Sequence, residues 1–412
     1  MRTSIVLCAA LSAIAASGTA HARPGEPIAL GDRVTLDPII EGLLRYEHVE
    51  QDDANLDADA VTIGVQFGAE LKAKGFSLLA EAEGTVAVDD HYNDTIAGNN
   101  GYLGAEPYSV VADPETLELN RLHVGYAGKA GSVTLGRQRI NLGNQRFVGN
   151  VGWRQNEQTF DAVRATAKFG QGYLDATYSK SQRTIFGQDA GARRAFDGDF
   201  VLANAGVKVK DIDVTVFAYL LDYDAGEAAP SSQTYGAVAA GKLPIDGPVA
   251  VTFVASYARQ QDYKGHTADY SADYVNAELA AAIKGFKLTA GYEKLGSDNG
   301  IGFSTPMATL HKFNGFADVF LNTPAAGIQD YYAGVAYAFP NVKAIPGLNA
   351  SVTWHRFDSD VGGIDYGSEW DATLGFKVGN FPFLFKYANY KADAWPASGD
   401  VEKLWVQAGF AF

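Results

Sequence analysis

Residues 75–88 read Gly75-Phe76-Ser77-Leu78-Leu79-Ala80-Glu81-Ala82-Glu83-Gly84-Thr85-Val86-Ala87-Val88. Leu78, Ala80, Ala82, Val86 and Val88 fall on one face of an extended chain, and Glu81, Glu83 and Thr85 on the other. A period of two belongs to a strand; a period of 3.6 would scatter both sets around a helix. The pattern recurs. Over 158–169, Val163, Ala165, Ala167 and Phe169 oppose Arg164, Thr166 and Lys168. Over 401–412, Leu404, Val406, Ala408, Phe410 and Phe412 oppose Lys403, Trp405 and Gln407.

Eighteen such segments follow one another, centred near 42, 66, 82, 122, 136, 164, 178, 205, 217, 237, 254, 278, 291, 334, 352, 373, 386 and 406. Each is about 9–14 residues long, against the ~9–11 that a tilted strand needs to cross a bilayer and the ~5–6 usual in a soluble sheet. Aromatic residues gather at their ends, among them Tyr46, Tyr126, Tyr178, Tyr257, Trp354 and Trp405, as interfacial girdles would. The connections alternate between tight and long. Lys72–Gly75, Gly128–Gly131, Gly170–Gly172, Lys210-Asp211, Gly285 and Gly379-Asn380 are tight; 89–115, 141–157, 185–199, 261–271, 296–328, 358–367 and 392–400 are long and polar. Sorting by parity predicts an all-β, transmembrane, antiparallel up-and-down barrel of about 18 strands. Its short turns would be periplasmic, its long loops extracellular and both termini periplasmic. Closure has a physical cause: lipid offers no hydrogen-bond partners, so a sheet within it must have no edge. One face then meets lipid and the other a wet lumen.

Residues 1–22 have the make-up of an export signal: Arg2, an apolar run from Ile5 to Ala16, and a small-x-small end at Thr19-Ala20-His21-Ala22. The expected organisation is a signal peptide over 1–22, a loosely structured periplasmic extension over 23–35 and the barrel over 36–412. Cys8, the single cysteine, would leave with the signal, so a disulfide scaffold is excluded. With 33 Lys and Arg against 48 Asp and Glu the net charge is -15, the same sign as phosphate, which disfavours nucleic acid as a partner. Beyond the N-terminus no apolar run reaches the ~18–20 residues of a membrane helix.

Between 135 and 164 the chain reads Leu135-Gly136-Arg137-Gln138, Gly143-x-Gln145-Arg146, Trp153-Arg154-Gln155-Asn156 and Phe160-Asp161-x-Val163-Arg164. This stretch resembles the alginate-export family of Gram-negative outer-membrane proteins, and the segment from Ala308 to Asp318 also resembles one seen in such porins. The resemblance implies an eighteen-stranded barrel in the outer membrane that passes an anionic polysaccharide through an arginine-rich constriction. Lipid bilayer and lipopolysaccharide would surround it. The outer-membrane assembly machinery would recognise its terminal aromatic strand.

Nine of the fifteen arginines lie between 121 and 194. The candidates for anion selectivity at the pore are Arg121, His123, Arg137, Arg139, Arg146, Arg154, Arg164 and Lys168. A guanidinium in a narrow, low-dielectric pore grips carboxylate with two hydrogen bonds, and a ring of them selects anions. Two readings stay open: an electropositive constriction, or arginines paired with wall carboxylates such as Glu41, Glu47, Glu81 and Glu83. Arg137 and Arg139 share parity with Val133 and Leu135, so either Gly136 carries a bulge that resets the faces or these arginines lie beyond the membrane band. In 296–328, Met307 to Leu321 could form an amphipathic helix presenting His311, Lys312 and Asn314 to the lumen, or pack on the outer rim.

Catalytic and metal chemistry is not legible. The seven histidines form no His-x-x-x-His pair, Asp52, Asp53, Asp57 and Asp59 lack EF-hand spacing, Asp89-Asp90-His91 reads as a loop tip, and there is no Gly-x-Ser-x-Gly elbow. The expectation is a passive channel without cofactor, for an anionic polysaccharide or a related acidic solute. The alternative is a selective porin for small sugars or organic acids; a barrel enzyme is the remaining possibility.

Overall fold

The computed structural model describes residues 26–96, 107–227, 230–394 and 399–411. The expected signal peptide and the terminal Phe412 lie outside these residues. No helix among them is long and apolar enough to span a bilayer.

The strands are β1 (Val34–Gln51), β2 (Ala58–Ala73), β3 (Phe76–His91), β4 (Thr116–Ala127), β5 (Gly131–Gln138), β6 (Thr159–Phe169), β7 (Gly172–Arg183), β8 (Ala195–Val209) and β9 (Ile212–Tyr223). They continue with β10 (Ser232–Lys242), β11 (Ala250–Asp262), β12 (Ser271–Ile283), β13 (Phe286–Leu295), β14 (Ile328–Ala338), β15 (Asn349–Asp358), β16 (Asp365–Val378), β17 (Phe381–Lys391) and β18 (Val401–Ala411). Each pairs antiparallel with its neighbour, and β1 closes the ring on β18 from Glu41↔Ala411 to Gln51↔Val401. The sheet has nineteen strands; the one outside the ring is Ile28–Gly31, which folds back on Val34–Leu36. Part of the expected loose extension is therefore paired sheet: the β1 ladder starts at Val34 and offers its edge to four more residues.

The eighteen-stranded closed barrel has the predicted parity. Two-residue turns at Lys74-Gly75, Gly170-Gln171, Lys210-Asp211, Lys284-Gly285 and Gly379-Asn380 lie at one end, and 92–115, 139–158 and 296–327 at the other. The tight end is less uniform than predicted, since 243–249 and 339–348 also connect strands there. The outward face carries the apolar belt: Leu78, Val124, Leu135, Val216, Leu279, Leu288 and Trp370 are about half exposed. Burial of apolar area against lipid is what this face is built for.

The inner face is not uniformly wet. Phe200, Leu202, Phe217, Tyr219, Leu221 and Tyr223 point inward from β8 and β9 and pack against residues of the long loops. The barrel thus holds a hydrophobic core of its own, which the loops complete.

Candidate functional site

Two long connections, 139–158 and 296–327, fold into the lumen and are joined to each other. Val148 bridges Met307, the Gly149 N–H donates to Met307 O at 2.8 Å, and the Thr309 N–H donates to Gln145 O at 3.1 Å. Gly149 is required at this crossing, because a Cβ there would overlap the Thr309 hydroxyl. Phe147 seals the junction, its ring centroid 5.0 Å from Phe217 and 5.1 Å from Tyr274. The expected helix over Met307–Leu321 does not form. A short 3-10 turn at Leu310–Lys312 is followed by Asn314, Gly315 and Asp318 in positive φ. The reason is spatial: this segment hydrogen-bonds to the wall and to loop 139–158 residue by residue, and a helix would turn those backbone groups inward.

The loops are bolted to the wall by buried ion pairs. Arg146 meets Glu293 at 3.0 Å and donates to Asn314 Oδ1 at 2.9 Å. Asn314 Nδ2 also donates to Glu293 Oε2 at 2.9 Å. Arg154 lies 3.2 Å from Glu47 and 3.0 Å from Asp318. Arg45, on β1, pairs with Asp113 at 3.3 Å, donates to the Trp153 carbonyl at 2.6 Å and lies 4.2 Å from the Trp153 ring centroid. Gln155 donates to Thr62 Oγ1, and Asn156 accepts from Thr85 Oγ1. The Trp153-Arg154-Gln155-Asn156 motif is therefore the inward tip of its loop.

His311 is buried beneath that tip, stacked on Trp153 with centroids 4.3 Å apart. Its Nδ1 lies 2.7 Å from Asp318 and its Nε2 2.6 Å from Lys386 Nζ. A neutral ring with Nδ1–H facing the carboxylate and Nε2 accepting from the ammonium satisfies both partners. Burial, helped by Lys386 and Arg154, keeps the imidazole well below its ordinary pKa despite Asp318. Burial alone would raise the Asp318 carboxyl, but His311, Lys403 and Arg154 outweigh it and hold the group well below the usual carboxylate range. Lys386 Nζ also stands over Phe316 and Trp153, at 3.2 and 4.1 Å from the centroids. Lys312 stays exposed and donates to Asn144 O at 3.0 Å. All three residues expected on the inserted loop thus reach the lumen side, but His311 and Asn314 act as struts.

Arg121, His123, Arg139 and Arg164 converge elsewhere. With Gln138 and Thr134 they line a chamber of about 350 Å³ against β4–β6. A bulge opposite Glu81 and Ala82 places Asn120 and Arg121 both inside, where each donates to the Glu81 carboxylate. Arg139 Nε donates to Glu157 at 2.8 Å and Arg164 Nε to Asp175 at 2.9 Å. In each pair the arginine side chain keeps more surface than its partner: 15% against 0% for Arg121–Glu81, 28% against 8% for Arg139–Glu157, and 23% against 11% for Arg164–Asp175. The chamber therefore presents N–H donors with the carboxylates behind them.

Arg137 belongs to neither group and corrects the expectation of a pore-lining role. It stands opposite the outward-facing Leu122, bonds to Asp161 at 2.7 Å and reaches Leu119 O. Gly136 adopts φ 123° yet the alternation runs through it unbroken, so Arg137 is on the outer face near the loop end. Arg139 reaches the lumen because the strand stops at Gln138 and the chain turns in. Lys168 shares the Arg164 face but sits exposed beside the tight turn. Asp89, Asp90 and His91 bring ligand atoms within 4.8 Å of one another at the end of β3.

Residues that sequence reasoning passed over include Arg45, Glu293, Asp318, Glu369, Asp371 and Lys386. Lys386 carried a signal: a lone lysine in Phe383-Leu384-Phe385-Lys386-Tyr387 can only face inward.

The family model described as alginate export matches residues 41–212. No curated protein matches the chain. Among solved structures the fold is similar to Pseudomonas aeruginosa OpdO, at 14% identity and a TM-score of 0.70 over 92% of this chain and 97% of that one. OpdK from the same organism, crystallised with vanillate, gives 13% and 0.69 over 91% and 98%. OccK8 (OprE) gives 15% and 0.67 over 91% and 98%. With an apolar belt outside and charged chambers inside, this chain is a Gram-negative outer-membrane β-barrel, similar to the alginate-export family over the stretch that runs from β1 through the arginine strands into β9.

Proposed function

We propose that this outer-membrane channel passes small acidic solutes, one at a time, along the Arg121–Arg139–Arg164 face. The reading rests chiefly on one observation. The two inserted loops occupy the lumen, and beside them lie half-open chambers of about 350 and 440 Å³, each large enough for one small molecule. A polymer would need one continuous groove with sites in series. The guanidinium-forward pairs supply the donors for a carboxylate, and their backing carboxylates weaken the grip enough for release. OpdK, which shares the fold, was crystallised with an aromatic carboxylate, vanillate. The family's description, alginate export, favours the polysaccharide reading, which requires both loops to withdraw. The expected partners, lipopolysaccharide outside and the assembly machinery at β18, belong to the same proposal, as does export by a signal over 1–22.

Reversal potentials in asymmetric salt test it, together with liposome swelling. Anion preference, with swelling in small organic acids and exclusion of an oligouronate, is the expected result. Ready passage of the oligouronate would return the function to polymer export, and hydrolysis of lipid or glycan by the pure protein would move it to an enzyme.

A further inference from the structure

Eleven of the eighteen lysines lie at the tight-turn end of the barrel. Five sit in the connections themselves: Lys74, Lys129, Lys210, Lys284 and Lys343. Against them the eight connections of that end hold only two acids, Asp211 and Asp246. The nine connections at the opposite end hold seventeen acids against seven lysines and arginines. The barrel is therefore electrically polar along its axis, and its tight end is cationic although the whole chain carries -15.

The other six lysines stand at or next to strand ends, and strand parity fixes the side they take. Lys72 shares the face of Thr62, Lys168 that of Arg164, Lys208 that of Leu202, Lys242 that of Thr234, Lys287 that of Glu293 and Lys377 that of Asp371, all of them inward. Their neighbours in sequence face out and are apolar: Phe169, Val209, Phe286 and Val378 are about half exposed. The apolar belt thus reaches the turns on the outside, while the lysines ring the inside on β2, β6, β8, β10, β13 and β16, never more than four strands apart. Lys72 is held by Asp37 and Glu70, and Lys208 lies 3.7 Å from Asp213. Lys168, Lys242, Lys287 and Lys377 have no ion-pair partner among the described residues. Lys287 lines the 440 Å³ chamber, and Lys168 stands one inward position beyond Thr166, which lines the arginine chamber.

We propose that the inward lysines form a cationic collar at the periplasmic mouth, which captures small carboxylate-bearing solutes from that side and delivers them to the arginine face. The proposal rests on the channel reading. Charge of one sign held in a low-dielectric wall focuses the field and raises capture of the opposite ion by ~10–1,000-fold. Screening confines that reach to ~8 Å at physiological ionic strength, so the collar acts on solutes already at the mouth. The acidic connections repel the same solutes at the extracellular mouth. A passive channel takes its net direction from the gradient; the axial polarity sets how fast an anion enters from each side.

Planar bilayers holding the barrel in one known orientation test this. In symmetric potassium chloride of roughly 0.1 M the current should be larger when the extracellular side is positive and draws anions in through the collar. That rectification should fade at about 1 M, where screening shortens the reach to ~3 Å. Citrate added on the periplasmic side should interrupt the current about tenfold more often than citrate added outside. The combined K168Q, K242Q, K287Q and K377Q variant should lose both asymmetries. Glutamine keeps most of the stem, and the milder K242Q and K377Q pair, at sites that line neither chamber, should lose part of each. Equal capture from both sides in the wild type, or asymmetry unchanged in the fourfold variant, would overturn the collar and leave the anion-channel reading intact. Absence of any conductance would instead count against the channel. Inorganic triphosphate binding to the detergent-solubilised protein then judges the collar alone: weaker binding in the fourfold variant supports it, and equal affinity overturns it.

Discussion

Arg154 and Arg164 stand in the same short stretch of chain and in opposite surroundings. Arg154 sits on the tip of an inserted loop, 7% exposed, enclosed by Glu47, Asp113 and Asp318. Arg164 sits on a strand, 23% exposed, with Asp175 behind it. Both are paired, so pairing does not separate a strut from a solute-facing group. What separates them is which partner keeps contact with the open lumen. A guanidinium sealed on all sides holds two parts of the protein together; one with a free edge can still offer N–H donors to a passing carboxylate.

Substitutions can break that contrast. R154A should have the largest effect, because it strands Glu47 and Asp318 in a buried site; losing one partner of such a pair costs about 3–5 kcal/mol. The loop tip should detach, seen as a larger, noisier single-channel conductance and a lower unfolding temperature in detergent. An R154A barrel with wild-type conductance would mean the tip is held by Trp153 and Gln155 instead. G149A comes next: the new methyl meets the Thr309 hydroxyl at the crossing of the two loops, and overpacking of this kind costs about 1–3 kcal/mol. Faster proteolysis within 139–158 or 296–327 measures it.

The combined R121A, R139A and R164A variant should barely alter conductance but reverse its selectivity. Glu81, Glu157 and Asp175 lose their cover, and the reversal potential should swing from anion towards cation preference. Unchanged selectivity would make these three arginines structural struts like Arg154. The smallest effect is expected for R137A, whose pair with Asp161 faces outward: no selectivity change and a stability loss of about 0–1 kcal/mol. A shift in reversal potential there would contradict the assignment of faces through Gly136.

The fold was readable because each strand repeats one simple decision, lipid or lumen, at every second residue. The eighteen centres, the parity of the connections and the inward placement of Arg121, His123 and Arg164 all follow from that rule. It fails where the inner face is itself apolar. In β8 and β9, Val201 faces out and Leu202 in, and only the loops packed on Leu202 explain why it is not on the surface. It also fails once a strand ends, which is why Arg137 and Arg139, of equal parity, take opposite sides of the wall. The helix expected over Met307–Leu321 had a plausible apolar stripe, but Phe313 meets Arg146, Ala317 meets Glu369 and Phe320 packs on Phe357 and Tyr366, so the stripe does not face one surface. Competition from wall donors and acceptors decided the backbone there.

Local alternation therefore dictated an antiparallel ribbon long enough to cross a bilayer, closed because an open edge in lipid would leave backbone groups unpaired. Folding in space decided what fills the ring. The contacts that fix the lumen, Arg154 with Glu47, Lys386 with His311 and Glu369 with Ala317, join residues 107, 75 and 52 positions apart. No short-range period encodes such partners, since each depends on where two loops come to rest once the wall has formed.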